Sequence, residues 1–103
     1  MTDVGSLREQ LRRERFMYLV RLAFELEGRG VSCTLRLPGR RGEYAVLEMP
    51  GGSSGVVRVG VRRERAGWLY TVGAYALGVS TVAVTVGVQS ADPAGMVLRA
   101  VSR

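Results

Sequence analysis

Apolar residues recur at helical spacing through the first quarter of the chain, over residues 7–26. This stretch contains no Gly or Pro, and Ser6 and Glu9 at its start have the spacing of a capping box. Gly28 and Gly30 follow, and glycines there favour the left-handed backbone that ends a helix. The pattern predicts a long helix with a polar first half and a mostly buried second half. Its apolar stripe comprises Leu7, Leu11, Met17, Tyr18, Leu22 and Leu26, broadened by Phe16, Leu19, Val20, Ala23 and Phe24.

After Gly30 the apolar residues alternate with polar ones, the pattern that is typical of strands with one buried face. Short segments that contain Gly or Pro separate the alternating runs, as expected for hairpin turns. We therefore expect four or five antiparallel strands. They are predicted over Val31–Leu37, Glu43–Met49, Val56–Arg63, Trp68–Ala74 and Val79–Val88, with a break at Gly78.

The end of the chain predicts a second, short helix. Asp92 is a good N-cap, and Pro93 suits the first helical position. Because each helix has an apolar stripe to bury, both helices are expected on the same face of the sheet. Residues 1–103 are thus predicted to form a single α+β domain with an N-terminal helix, a four- to five-stranded antiparallel sheet and a short C-terminal helix. The apolar face of the last helix comprises Met96, Val97, Ala100 and Val101.

Residues 66–91 allow a second interpretation, because they carry no charge and are long enough to span a bilayer. Arginines precede the segment and Trp68 lies near its start, as in many membrane helices. However, the segment contains four glycines, and β-branched residues alternate along it at Val82, Val84, Val86 and Val88. The composition favours a pair of strands over a transmembrane helix.

The charge of the chain comes from arginine alone. All fifteen basic residues are Arg, and the net charge is +6 with a sequence pI near 10.7. Such a chain favours acidic partners, whether nucleic acid, an acidic protein surface or anionic lipid. The single cysteine, Cys33, forms no internal disulfide, and no basic-then-apolar leader opens the chain. We expect a cytoplasmic location.

Residues suited to catalysis or metal binding are scarce. The chain has no histidine, one cysteine and no paired aspartates, so neither a nucleophilic triad nor a usual metal site is indicated. Cys33 alternates with apolar residues and is expected to be a small core residue. Glu48 is expected to face outward between Arg36 and Arg58 and to form cross-strand ion pairs. We predict a protein that is not an enzyme, with no cofactor, no metal and no small-molecule substrate.

The fourth strand is rich in aromatic residues, and two interpretations of Trp68, Tyr70 and Tyr75 remain open. They cover the edge of the core, which is the commoner fate, or they belong to an exposed binding face. The candidate interaction surface comprises Arg36, Arg58 and Arg62 on the sheet, Arg8, Arg12 and Arg15 on the first helix, Arg40 and Arg41 in the first hairpin loop, and Trp68 and Tyr70.

Several short phrases, taken with the order of elements, carry a resemblance. They are Phe24–Val31 at the end of the first helix, Leu37-Pro38, Val46–Gly51, Gly67–Tyr70 and Ala91–Pro93. With this layout the chain resembles small actinobacterial proteins that are similar to the type III secretion chaperone-like fold, which includes the bacterial YbjN group. The resemblance implies a protein that binds other proteins, commonly as a dimer.

These observations favour a protein-binding module, such as a chaperone, an adaptor or an immunity-like partner, that forms a homodimer. One alternative is an auxiliary nucleic-acid-binding protein that contacts phosphates through the helix arginines and Arg40 and Arg41. Another is a structural subunit whose apolar strands are completed in a larger assembly. A membrane partner is not favoured.

Overall fold

The fold is known from a computed structural model, which describes residues 4–39, 44–51, 55–76 and 79–101. Two helices flank five strands, and every strand pairs antiparallel with the next one along the chain. The predicted α+β class and order of elements are confirmed. The elements are α1 (Val4–Gly28), β1 (Thr34–Arg36), β2 (Val46–Gly51), β3 (Gly55–Glu64), β4 (Gly67–Ala76), β5 (Val79–Gly87) and α2 (Pro93–Val101).

Both helices pack on one face of the sheet, as the two apolar stripes require. α1 lies over β1, β2 and β3, and α2 lies over β4 and β5. Removal of apolar side chains from water drives this packing. The buried core comprises Leu19, Leu22 and Leu26 of α1; Leu47, Met49, Val59, Val61, Tyr70, Val72 and Val86 of the strands; Val88 just after β5; and Ala94 and Val97 of α2.

The long uncharged segment forms a hairpin of two strands. β4 and β5 pair from Leu69–Gly87 to Ala76–Val79, with a register shift between Val72 and Gly73. The strand interpretation of residues 66–91 is therefore confirmed. No helix within the described residues is long and apolar enough to cross a membrane. The predicted break at Gly78 lies outside the described residues.

The first helix starts earlier than predicted, and it ends as predicted. It begins at Val4, so Ser6 lies within the first turn instead of capping it. At the other end, Gly30 has a φ of 83°, and its N–H donates to Glu27 O at 3.0 Å. Val31 N–H donates to Leu26 O at 3.0 Å, which completes a Schellman cap.

β1 is shorter than the predicted Val31–Leu37, and the cap accounts for the loss of its first residue. The amide of Val31 is used by the helix end, and pairing with β2 starts only at Thr34 and stops at Arg36. Leu37, predicted to face inward, is exposed. β2 instead runs past the predicted end to include Pro50, which is tolerated because β1 does not extend beside it.

The prediction that the second half of α1 is mostly buried is wrong. Leu19, Leu22 and Leu26 face the sheet, whereas Phe24 is 79% exposed. A helix turns by about 100° per residue, so a flat sheet covers only one stripe of it. Tyr18 and Ala23 are partly buried against the core, and the remaining apolar residues of this half lie on a second stripe outside it. Those exposed are Phe16, Met17 and Val20, and Leu7 nearer the start is exposed as well.

The second helix starts as predicted but buries a slightly different face. The Asp92 carboxylate accepts a hydrogen bond from Gly95 N at 3.2 Å, the bond of an N-cap. Arg29, just after α1, forms an ion pair with the same carboxylate. This hydrogen-bonded pair lowers the pKa of Asp92. Met96, predicted to face inward, is exposed, and Ala94 takes its place in the core.

The crowding around Asp92 predicts an unusual effect of alanine in a helix. A Cβ at Gly95 would overlap the Asp92 carboxylate and come within 3.0 Å of Arg29 Nη1. Gly95→Ala should therefore lower the free energy of unfolding by about 1 kcal/mol, through loss of the cap. Gly28→Ala meets no atom within 4 Å and is the matched control, expected to leave stability equal or higher. Urea unfolding of both variants measures this, and equal effects would contradict the role of Gly95.

Candidate functional site

The outer face of the sheet, opposite the helices, carries a three-residue ion cluster centred on Glu48. Glu48 is the register partner of Arg58 on β3 and of Thr34 on β1. Arg58 Nε lies 2.8 Å from Glu48 Oε2, and Arg36 forms an ion pair with the other carboxylate oxygen. The predicted cross-strand ion pairs of Glu48 are therefore present.

The environment of Glu48 keeps it ionised. Its side chain is only 14% exposed, and this burial favours the neutral form. The hydrogen bond from Arg58 and the charge of Arg36 outweigh burial and lower the pKa of Glu48. Further along the same face, Arg62 pairs with Glu64 at 2.8 Å. Arg36, Arg58 and Arg62, the three arginines predicted to form an outer interaction surface, thus face outward. Each of them forms an ion pair with a carboxylate.

Arg15 has a different role from the other predicted arginines of α1. Its Nε donates to Val61 O at 3.1 Å, just past the point where β2 stops pairing with β3. Its guanidinium lies 3.9 Å from the centre of the Tyr44 ring and 5.6 Å from that of Trp68. Arg15 therefore fixes α1 to the sheet and is not a surface charge. In the sequence it is indistinguishable from the exposed arginines around it.

Trp68 and Tyr70 face the helices. Tyr70 is 2% exposed, and its hydroxyl donates to Tyr18 O at 2.8 Å. Burial raises the pKa of Tyr70 to about 12. Trp68 is half-buried, with its ring centre 5.6 Å from that of Tyr18. Packing against the core is therefore the correct interpretation for Trp68 and Tyr70, and Tyr70 cannot belong to an exposed binding face. The side chain of Tyr75 lies outside what the structure describes.

Cys33 has the surroundings of a structural thiol. It is half-buried against the core, and its Sγ lies 3.7 Å from Ala23 O on α1. Burial, followed by the negative charge of Glu27, raises the pKa of the thiol. Since the thiolate is the reactive form, this position disfavours nucleophilic chemistry.

The largest unexpected feature is an apolar strip on the exposed side of α1, here called the α1 flank. It consists of Phe16, Met17, Val20 and Phe24, which are 41%, 66%, 42% and 79% exposed. Three of these residues follow each other at intervals of four, so they form one row along the helix. The sequence pattern predicts these residues to be part of the core, because the pattern does not show which apolar stripe of α1 meets the sheet.

A shallow cleft extends the α1 flank towards the first hairpin. Its volume is about 160 Å³, and Phe16 forms one of its walls. Leu37 and Tyr44, which are 66% and 59% exposed, also line the cleft. The remaining lining residues are Arg12, Arg15, Pro38 and Ala45.

The other predicted arginines lie near this region or outside the described residues. Arg8 and Arg12 are exposed on the first half of α1. Arg40 and Arg41 belong to the segment 40–43, which the structure does not describe. Within the described ranges, no three side chains among Cys, Asp and Glu converge as a metal site would require.

The Glu48 cluster generates a prediction about stability and pH. Because the pKa of Glu48 is lowered by folding, its ion pairs stabilise the protein above the ordinary pKa of 4.5 and less as the pH falls below it. Glu48→Gln should lower the free energy of unfolding by about 1 kcal/mol at pH 7, and by less at pH 3. Glu64→Gln, at a more exposed pair, is the control and should change stability by less than about 0.5 kcal/mol.

Urea unfolding of the three proteins at both pH values measures these differences. A Glu48→Gln effect that is the same at pH 3 and pH 7 would contradict the assignment of the stabilisation to the ionised carboxylate.

No family model matches the chain, and no curated protein or solved structure is detectably similar to it. The resemblance to the type III secretion chaperone-like group accordingly stays a prediction.

Proposed function

We propose that the protein is a cytoplasmic, non-enzymatic protein-binding module, of the adaptor or chaperone kind, that engages its partner through the α1 flank. The observation that carries this proposal is the exposure of four adjacent large apolar side chains on one helix. Phe24 alone is 79% exposed. The adjoining cleft with Leu37 and Tyr44 enlarges the same apolar area.

The physical argument starts from the free energy of apolar surface in water. Exposed apolar residues that are scattered singly are normal, but a continuous patch is unusual in a protein with no partner. The composition of the flank also fits, since Phe, Met and Tyr are enriched at interface cores. Burying Phe24 alone would contribute about 2 kcal/mol to an association.

Charged residues near the flank support selectivity for a partner with complementary charges. Arg12 lines the cleft, and Arg13 and Glu27 are exposed on the same helix. Their side chains form a polar rim around an apolar centre, the usual arrangement of interfaces. Charged rims steer partners of opposite charge and accelerate their association.

The proposal is tested by comparing what the wild-type chain and a flank variant retain from an extract of the native host. Tagged wild-type protein should retain one or more specific proteins, further copies of its own chain included. Phe24→Ser should reduce that retention at least tenfold, because the most exposed side chain of the patch is lost. Quantitative mass spectrometry of the eluates provides the measurement.

Arg21→Ala is the matched control, since Arg21 lies on the same helix outside the flank and pairs with Glu25. Retention by this variant should stay within about threefold of wild type. Circular dichroism confirms that both variants fold. Retention that is absent, or equal for all three proteins, would refute the proposed function.

A second candidate, nucleic-acid binding, has one observation in its favour. The contact between Arg15 and Val61 brings the first half of α1 to the end of the sheet where β3 turns into β4. Arg8 and Arg12 on α1 and Arg63 and Arg65 at the turn thereby charge one end of the molecule. Contacts of such arginines with phosphates would make binding fall steeply as salt rises.

Fluorescence anisotropy with labelled single-stranded and duplex DNA and RNA separates the two candidates. Nucleic-acid binding predicts an affinity that falls at least tenfold between about 50 and 200 mM salt, and further in Arg12→Ala with Arg63→Ala. No binding at the lower salt concentration eliminates this candidate and leaves the protein-binding proposal in place.

A further inference from the structure

The residues around Val20 on the exposed side of α1 are arranged so that the row is complementary to itself when a second copy runs in the opposite direction. Phe16 and Phe24 each lie four residues from Val20. Arg13 and Glu27 each lie seven residues from Val20, one with a positive and one with a negative charge. A spacing of four or seven residues keeps side chains on nearly the same side of a helix. The row therefore reads basic, aromatic, aliphatic, aromatic, acidic.

We propose that the partner of the α1 flank is a second copy of this chain, bound with the two α1 helices antiparallel and a two-fold axis beside Val20. This inference rests on the proposed function and names its partner. Two-fold symmetry places Val20 against Val20 of the second copy and Phe16 against Phe24 of the second copy. One surface thus serves both subunits, as in any isologous dimer.

Charge complementarity supports the antiparallel orientation. With the axis at Val20, each Arg13 comes opposite Glu27 of the other copy, and the symmetry creates this pair twice. Arg13 already lies 3.6 Å from Glu9 on its own helix, and both side chains are largely exposed. It can contact both carboxylates at once, because a guanidinium has five N–H donors. A parallel arrangement would place like charges together at both ends of the row.

The dimensions of the flank fit packing between two helices. The row from Arg13 to Glu27 is about 21 Å long, at about 1.5 Å per residue. Helices in contact have axes about 8–10 Å apart, close enough for Val20 to meet its symmetry mate. The contact area of one helix row is smaller than that of a standard interface, so the dimer should be reversible and depend on concentration.

The position of the axis is tested by disulfide trapping. In a Cys33→Ser background, Val20→Cys should form a covalent dimer with oxidised glutathione as the oxidant, since two facing cysteines meet the geometry of a disulfide. Arg21→Cys, one residue along and turned by about 100° around the helix from Val20, is the matched control and should give at least tenfold less dimer. Equal trapping at both positions, or none at Val20→Cys, would overturn the proposed axis.

The orientation is tested by exchange of charges, with dissociation constants from analytical ultracentrifugation. Arg13→Glu and Glu27→Arg should each weaken the dimer about tenfold, because two attractive pairs become repulsive. The double variant Arg13→Glu with Glu27→Arg restores opposite charges and should return to within about threefold of wild type. Arg21→Glu makes the same change in charge outside the flank and should leave the constant nearly unchanged. A double variant as weak as the single ones would overturn the antiparallel register.

The outcomes also separate this inference from the proposed function. A wild-type chain that stays monomeric at about 500 μM overturns the dimer. If Phe24→Ser nevertheless loses a protein that wild type retains from the extract, the flank binds a different protein and the proposed function stands. If the chain is monomeric and retains nothing, both fail.

Discussion

The packing of one narrow leucine row of α1 against the sheet determines the rest of the structure. Among the described side chains of α1, Leu19, Leu22 and Leu26 are almost fully buried. The rotation of the helix is fixed at two further points, by the bond from Arg15 to the carbonyl of Val61 and by the cap that ties Val31 to Leu26. With the rotation fixed, the flank around Val20 has to face away from the sheet.

Local patterns in the sequence predicted most of the helices and strands, because each of these elements depends on residues that are close together in the chain. Alternation located the strands, predicted as four or five, and placed Glu48 beside Arg58, since a strand with one covered face has a period of two. Asp92 and Pro93 located the start of α2 by the same reasoning, because an N-cap depends on residues within one turn. The ends of β1 and the first turn of α1 were less well predicted. β1 lost Val31 because the helix cap uses the amide of this residue.

The candidate site could be predicted only in part, because it depends on tertiary contacts. The second half of α1 has more apolar residues than a sheet can cover, and the sequence does not say which row is covered. Arg15 lies among exposed arginines in the sequence, yet in the structure it packs against Tyr44 and bonds to β3. The outer-face arginines were correctly placed, but their pairing with Glu48 and Glu64 makes them weaker candidates than the flank for recognising a partner.

The central claim, that α1 presents its leucine row to the core and its flank to a second protein, can be tested with a soluble gadolinium chelate and NMR. In dilute protein, the chelate should broaden the signals of the Val20 methyl groups and the Phe24 ring, and should spare those of Leu22 and Leu26. As the protein concentration rises, the Val20 and Phe24 signals should become protected. Protection of Phe24 at every concentration would contradict the rotation of α1, and broadening that never changes with concentration would contradict the second copy as its partner.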